Sequence, residues 1–139
     1  MSHQAFGGGY FKAVSAKGLR HVCSRFLTNE RTVIYPGWFK DTLPNIQPGT
    51  KFSMIHIDCD LYQSAKDVLE YCLSNHLLQE GGAIFFDDWN PNAASPDVGE
   101  RKAWSEIVQM FNVRYSDWGP YGWGGHKFLV HGYGDSSRI

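Results

Sequence analysis

The sequence is short of several things that would place it in other protein classes. Its three cysteines, Cys23, Cys59 and Cys72, are an odd number with no C-x-x-C spacing. That is too few and too scattered for a disulfide framework or a zinc knuckle, and it suits a reducing compartment. No apolar run approaches the roughly 20 residues a helix needs to cross a bilayer. Met1 to Tyr10 has neither the basic stretch nor the apolar stretch of a secretory leader. A cytoplasmic location is therefore the expectation. An excess of one charge is missing too: 13 Lys and Arg stand against 14 Asp and Glu, a formal net charge of −1. Such a chain has no overall field to draw in nucleic acid or anionic lipid. What is present is a hydrophobic fraction of 42% and an aromatic fraction of 15% with only 19% charged residues, which excludes a disordered chain. The 139 residues suffice for one domain, residues 1–139, with a core of its own.

The charge is unevenly placed. Residues 51–100 carry nine acids against Lys51 and Lys66, whereas both flanks are basic. Four of the nine fall in two tight pairs, Asp58/Asp60 and Asp87/Asp88. Acid concentrated this way is either a solvated face or a cation site.

The pattern of apolar residues separates these readings. Leu19, Val22, Cys23, Phe26 and Leu27 recur at helical spacing and predict a helix from about Phe11 to Thr28. Thr32–Tyr35 reads as a short strand stopped by Pro36-Gly37, and Phe39–Leu43 as one helical turn. Phe52–Ile57 is a second strand. Ser64 and Asp67 approximate a capping box opening a helix whose stripe is Ala65, Val68, Leu69, Cys72, Leu73 and Leu77, with Gly81-Gly82 as its C-cap. Ala83–Phe86 is a third strand, apolar throughout. Ser95-Pro96-Asp97 opens a further helix with Trp104, Ile107, Val108 and Phe111 on its buried face. Val113–Trp118 and Lys127–Val130 read as two closing strands. Alternation of this kind predicts an α/β sheet with an antiparallel finish. The Gly7-Gly8-Gly9 run follows no apolar strand and reads as a loop.

On that frame Asp58 and Asp87 each follow the last residue of a strand. One helix joins the two strands, so they should lie parallel and close, at about 4.8 Å. Both carboxylates then emerge at the carboxyl edge of the sheet, where open α/β sheets bind ligands. Carboxylates crowded there repel unless a cation is present or some are protonated. Oxygen ligands without a His/Cys cluster favour Mg²⁺, Ca²⁺ or Mn²⁺ over zinc. The competing reading is cap and loop aspartates facing water.

Three segments carry a family resemblance: Met54-Ile-His-Ile-Asp58-Cys-Asp60-Leu-Tyr62-Gln-Ser64, Gly81-Gly-Ala-Ile-Phe-Phe-Asp87-Asp88-Trp89, and Tyr35-Pro-Gly37-Trp38-Phe39-Lys-Asp41-Thr-Leu-Pro44. Together they resemble the macrocin O-methyltransferase family, metal-dependent class I methyltransferases that use S-adenosylmethionine, over about Phe6 to Tyr133. The resemblance implies a Rossmann-like sheet, mostly parallel with an antiparallel last strand. It implies Asp58, Asp87 and Asp88 as Mg²⁺ ligands, with Asp60 as a fourth carboxylate at or just outside the ion. Trp38 and Phe39 would stand near the cofactor, and the acceptor would be a sugar-like or other vicinal-diol molecule. Tyr62 and Trp89, by their place beside the acid pairs, either line the acceptor pocket or serve packing. Among the histidines, His56 shares a strand face with Asp58, and His56 and His126 are the candidates for a general base.

The sequence departs from the family pattern at its start. The strand, Gly-rich loop, helix and second strand that form the cofactor-binding β-α-β unit have no counterpart here. Without that unit the Phe52–Ile57 strand is left with a bare edge, a pairing liability. Filling that edge, by the Thr32 strand or by a second copy of the chain, is the expectation, and a homo-oligomer follows from the second. Two functions compete: an O-methyltransferase or its C-terminal half, and a non-catalytic methyltransferase-like oligomeric module that has lost cofactor binding. A phosphatase reading of Asp58-x-Asp60 is disfavoured by Tyr62 and by the lack of a suitable Lys between Asp67 and Asp87.

Overall fold

A computed structural model describes residues 14–134. The Gly7-Gly8-Gly9 run and the Phe11 start of the first predicted helix lie outside the described residues. The chain divides into two compact units, Met1–Asn45 and Ile46–Ile139.

In the first unit, α1 covers Ala16–Cys23 and is capped by Ser15, whose Oγ accepts the Gly18 N–H at 3.1 Å. The helix stops short of the predicted Thr28 because the backbone tightens after it. Arg25 and Phe26 donate to Val22 and Cys23, three residues back. Thr32–Tyr35 forms no strand. β-branched composition favours a pleated surface only where a neighbour supplies the ladder. Here the Ile34 carbonyl accepts instead from Arg20 Nη2 at 3.2 Å. A short α2, Phe39–Thr42, follows the Pro36-Gly37 turn as the sequence predicts.

The second unit is built on four strands: β1 Phe52–Ile57, β2 Leu78–Phe86, β3 Arg114–Tyr121 and β4 Gly125–Gly132, in the order β1-β2-β4-β3. β1 and β2 pair in parallel, with Ile57 opposite Phe86. β4 runs antiparallel to both β2 and β3. Thus β1, β2 and β3 point one way and end at the same edge of the sheet. β1 is an outer strand, and its far side has no strand partner among the described residues.

Helices α3 (Tyr62–Ser74) and α4 (Gly99–Met110) pack on each other and on one sheet face. Period-two alternation sends Ile55, Ile57, Ile84, Phe86, Phe128 and Val130 to that face, where all are buried. Leu69, Leu73, Ala103, Trp104 and Ile107 meet them from the helices. Ile84 is 0% exposed, so Ile84→Val, which deletes one methylene from an enclosed site, is expected to cost about 1 kcal/mol in urea unfolding.

The sequence misplaces the end of α3. The helix stops at Ser74, and His76, at φ +51°, takes the left-handed position. His76 N–H donates to the Leu73 carbonyl and Leu77 N–H to that of Cys72, a Schellman closure without glycine. Gly81-Gly82 belong instead to β2, where the pairing jumps from Phe52↔Leu78 to Met54↔Ala83. α3 also opens at Tyr62 rather than at a Ser64 cap. α4 starts at Gly99, two residues beyond the expected Ser95-Pro96-Asp97 signal.

Candidate functional site

The parallel pairing of β1 and β2 continues one step past the strands, because Asp87 N–H donates to the Ile57 carbonyl at 2.9 Å. Asp58 and Asp87 therefore leave adjacent strands at the same edge. β3 ends there too, and its last residue, Tyr121, donates its hydroxyl to Asp87 Oδ1 at 3.3 Å. His56 Nε2 lies 2.9 Å from the same hydroxyl and 3.9 Å from Asp87 Oδ1. The loop after β2 is tied to the β3–β4 hairpin by the bond from Asn90 N–H to the Gly124 carbonyl, 3.0 Å.

The two acid-bearing loops are joined through Glu100, a residue the sequence reading passed over. It is the second residue of α4 and 0% exposed. Its Oε2 accepts the Asp88 N–H at 3.0 Å, and its Oε1 accepts the Cys59 N–H at 3.4 Å. Asp88 in turn accepts the Asp60 N–H on Oδ2 at 3.3 Å, and Asp60 sits at φ +56°. The loops 58–60 and 87–88 are thus held edge to edge by carboxylate-to-amide bonds, with Glu100 beneath them.

Crowded carboxylates make this edge electrostatically strained. Burial pushes the Glu100 carboxyl up to about 8, against the pull of the Asp88 and Cys59 amides, and the charges of Asp88 and Asp58 add to the rise. Asp88 is pushed up to about 6, first by desolvation and then by the neighbouring Asp60 and the charge of Asp58. Desolvation and then Asp87 raise the Tyr121 phenol to about 12. The Cys59 thiol is also pushed up to about 12 by burial and by Glu100, so it is a protonated thiol and no nucleophile at neutral pH.

The other residues singled out from the sequence have defined places. Tyr62 donates to Glu106 Oε2 at 2.7 Å and accepts from Lys66 Nζ at 3.1 Å, within the α3–α4 contact. Trp89 is 8% exposed and packs on Phe86 and Phe128, with the Arg101 guanidinium 4.6 Å from its ring. His126 bonds to Asp117 Oδ1 at 2.7 Å and stacks on Trp89. Trp38 and Phe39 lie in the first unit, 77% and 39% exposed.

Among the described residues, no group of three or more His, Cys, Asp or Glu side chains is arranged to hold a metal ion. The chemistry of the donor set nevertheless suits Mg²⁺. Asp58, Asp60, Asp87 and Asp88 offer only hard oxygens, and the part of the Asp88 shift that comes, after desolvation, from Asp60 and Asp58 is repulsion a divalent cation would relieve.

Comparison with known proteins gives this acid-tipped α/β sheet edge its context. Residues 6–111 match the model of the macrocin-O-methyltransferase (TylF) family, and the chain belongs to that family. It is 40% identical over 87 residues to the 8-demethyl-8-(2,3-dimethoxy-alpha-L-rhamnosyl)-tetracenomycin-C 4'-O-methyltransferase of Streptomyces olivaceus, covering 62% of this chain and 32% of that protein. It is 35% identical over 78 residues to the demethyldecarbamoylnovobiocin O-methyltransferase of Streptomyces niveus, covering 55% and 29%. Its fold matches the structure of the O-methyltransferase NovP with a TM-score of 0.68 and 26% identity, over 84% of this chain and 45% of that one. The matched stretches therefore span about a third of these curated relatives. No helix among the described residues is long and apolar enough to cross a membrane.

Proposed function

We propose that this chain carries the metal and acceptor side of an S-adenosylmethionine-dependent O-methyltransferase acting on a hydroxyl of a sugar-like or other vicinal-diol small molecule. The observation that carries the proposal is the pairing of the Asp58 and Asp87 loops at one sheet edge in a chain of this family. The relatives' names add a rhamnosyl-bearing acceptor and a novobiocin precursor, both methylated on oxygen.

Asp58, Asp87 and Asp88 would hold Mg²⁺, with Asp60 beside them. When bound, the ion would acidify a coordinated hydroxyl and fix its oxygen for in-line attack on the cofactor's methyl group. The chain's own residues do the rest. Tyr121 holds Asp87 from the hairpin side through its hydroxyl. His56, whose Nε2–H donates to that hydroxyl oxygen, is the imidazole tied to the acid edge, and its unprotonated Nδ1 is the nitrogen that can take the acceptor proton. His126, engaged by Asp117 and Trp89, serves packing.

The test is methyl transfer from S-adenosylmethionine to a panel of glycosides with and without vicinal hydroxyls, in Mg²⁺ and in EDTA, read by mass spectrometry. The reading expects singly methylated product from the diols in Mg²⁺ alone. Folded protein that binds S-adenosylmethionine yet gives no methylated product with any acceptor, or that gives equal product in EDTA, would remove it.

A further inference from the structure

We propose that Glu100 is the positioning residue of the acid edge. Its buried carboxylate clasps the loop after β1 and the loop after β2, one oxygen to each, and so sets the spacing of Asp58, Asp87 and Asp88. The inference deepens the metal reading given above and rests on it only where metal affinity is concerned.

The geometry carries the argument. Oε1 accepts from Cys59 N–H at 3.4 Å and Oε2 from Asp88 N–H at 3.0 Å, so each oxygen serves a different loop. A carboxylate that is 0% exposed is costly to enclose unless hydrogen bonds satisfy it. Those two backbone amides do so, and in return their loops acquire a common anchor. Glu100 lies on the apolar stripe of α4, four residues before Trp104 and seven before Ile107, so the helix aims it into the interior and not at solvent. Gly99, at the start of the helix, takes φ +58°, a conformation glycine adopts without strain. The clasp then propagates, since Asp88, fixed through its own N–H, accepts the Asp60 N–H on its side chain. A first-turn acid that merely answered the α4 dipole would bond the amides of its own helix. Glu100 bonds two other segments.

Both oxygens must accept, so the substitutions are ordered. Glu100→Gln keeps one accepting oxygen and turns an NH₂ toward the other amide, opening one loop. Glu100→Ala opens both. The first readout needs no metal: amide hydrogen exchange in EDTA. Glu100→Ala is expected to accelerate exchange at Cys59 and Asp88 together by at least about tenfold, the loss of a buried hydrogen bond at each. Glu100→Gln should do so at only one of the two. Ile84→Val, a core control, should leave the difference between these amides and their neighbours unchanged. The second readout is Mn²⁺ affinity by electron paramagnetic resonance, expected to fall about 10- to 100-fold in Glu100→Ala and less in Glu100→Gln. Wild-type exchange at both amides in both variants overturns the clasp. So does a folded Glu100→Ala protein with wild-type Mn²⁺ affinity. Should Glu100→Ala not fold, Glu100→Gln decides by its single-amide change. Wild-type protein that binds no Mn²⁺ ends the metal reading alone, and the exchange result still judges the clasp.

Discussion

Replacing Asp58 or Asp87 with Ala is expected to reduce methyl transfer by about a thousandfold or more, while the circular dichroism spectrum and unfolding midpoint stay close to wild type. The magnitude follows from the proposed role: each carboxylate would hold the cation that neutralises the developing oxyanion, a contribution of several kcal/mol, and about 1.36 kcal/mol is a factor of ten. The separation from stability follows from the structure. Asp58 is exposed, and the Asp87 side chain is 45% exposed. The bond that aligns the strands uses the Asp87 backbone N–H, which Ala retains. Removing the Asp87 side chain also releases the Tyr121 hydroxyl, so Tyr121→Phe provides a milder comparison with the carboxylate kept. Activity that survives both Asp58→Ala and Asp87→Ala would place the chemistry elsewhere.

The second large effect concerns pH. Glu100 is raised from 4.5 to about 8 and Asp88 from 3.8 to about 6 in the folded chain. Between those limits the folded state binds more protons than the unfolded state, so stability falls as pH rises. Metal-free protein is therefore expected to be more stable at pH 5.5 than at pH 8. The difference is on the order of a few kcal/mol, reduced from the full shift because Asp88 is only partly buried. Groups shifted the other way do not confuse this window. Asp117, held down by His126, and Glu106, held down by Lys66, contribute stability above their unfolded values that is lost only below about pH 4–5. Mg²⁺ favours the ionised carboxylates and should shrink or reverse the slope. Urea titrations at the two pH values, in EDTA and in Mg²⁺, measure it. A metal-free stability that climbs from pH 5.5 to pH 8 contradicts the crowding argument, and Glu100→Gln should flatten the slope.

The acid edge was legible in the sequence because two local signals coincide. Phe52–Ile57 and Ala83–Phe86 are apolar runs of strand length, each followed at once by aspartate, and the helix between them forces parallel pairing. Glu100 was legible in principle. It begins an i, i+3, i+4, i+7 stripe with Ala103, Trp104 and Ile107, and an acid on a core face needs a partner. The motif-based reading of the acid pairs does not reach it. Tyr121 could not be found this way, because its place beside Asp87 depends on the β3–β4 register, which only the folded hairpin sets.

Where the sequence misled, a side chain did work that glycine or a β-branched residue usually signals. His76 and Asn112, at φ +51° and +46°, close α3 and α4 in the left-handed position that glycine commonly takes. That freed Gly81-Gly82 for the irregular start of the β2 pairing. Thr32–Tyr35 had strand composition and no strand beside it, and a run of that kind remains irregular until a ladder is offered.

The most direct test of a cation at this edge is calorimetric titration of Mg²⁺ into the metal-stripped chain at pH 6, where Asp88 is partly protonated, run in two buffers of different ionisation enthalpy. One ion should bind per chain with protons released, because a carboxyl held above its ordinary value must ionise as the cation enters. Asp58→Ala should show no such binding. Absence of binding heat in the folded wild-type chain, or equal binding in Asp58→Ala, would contradict a cation site at this edge.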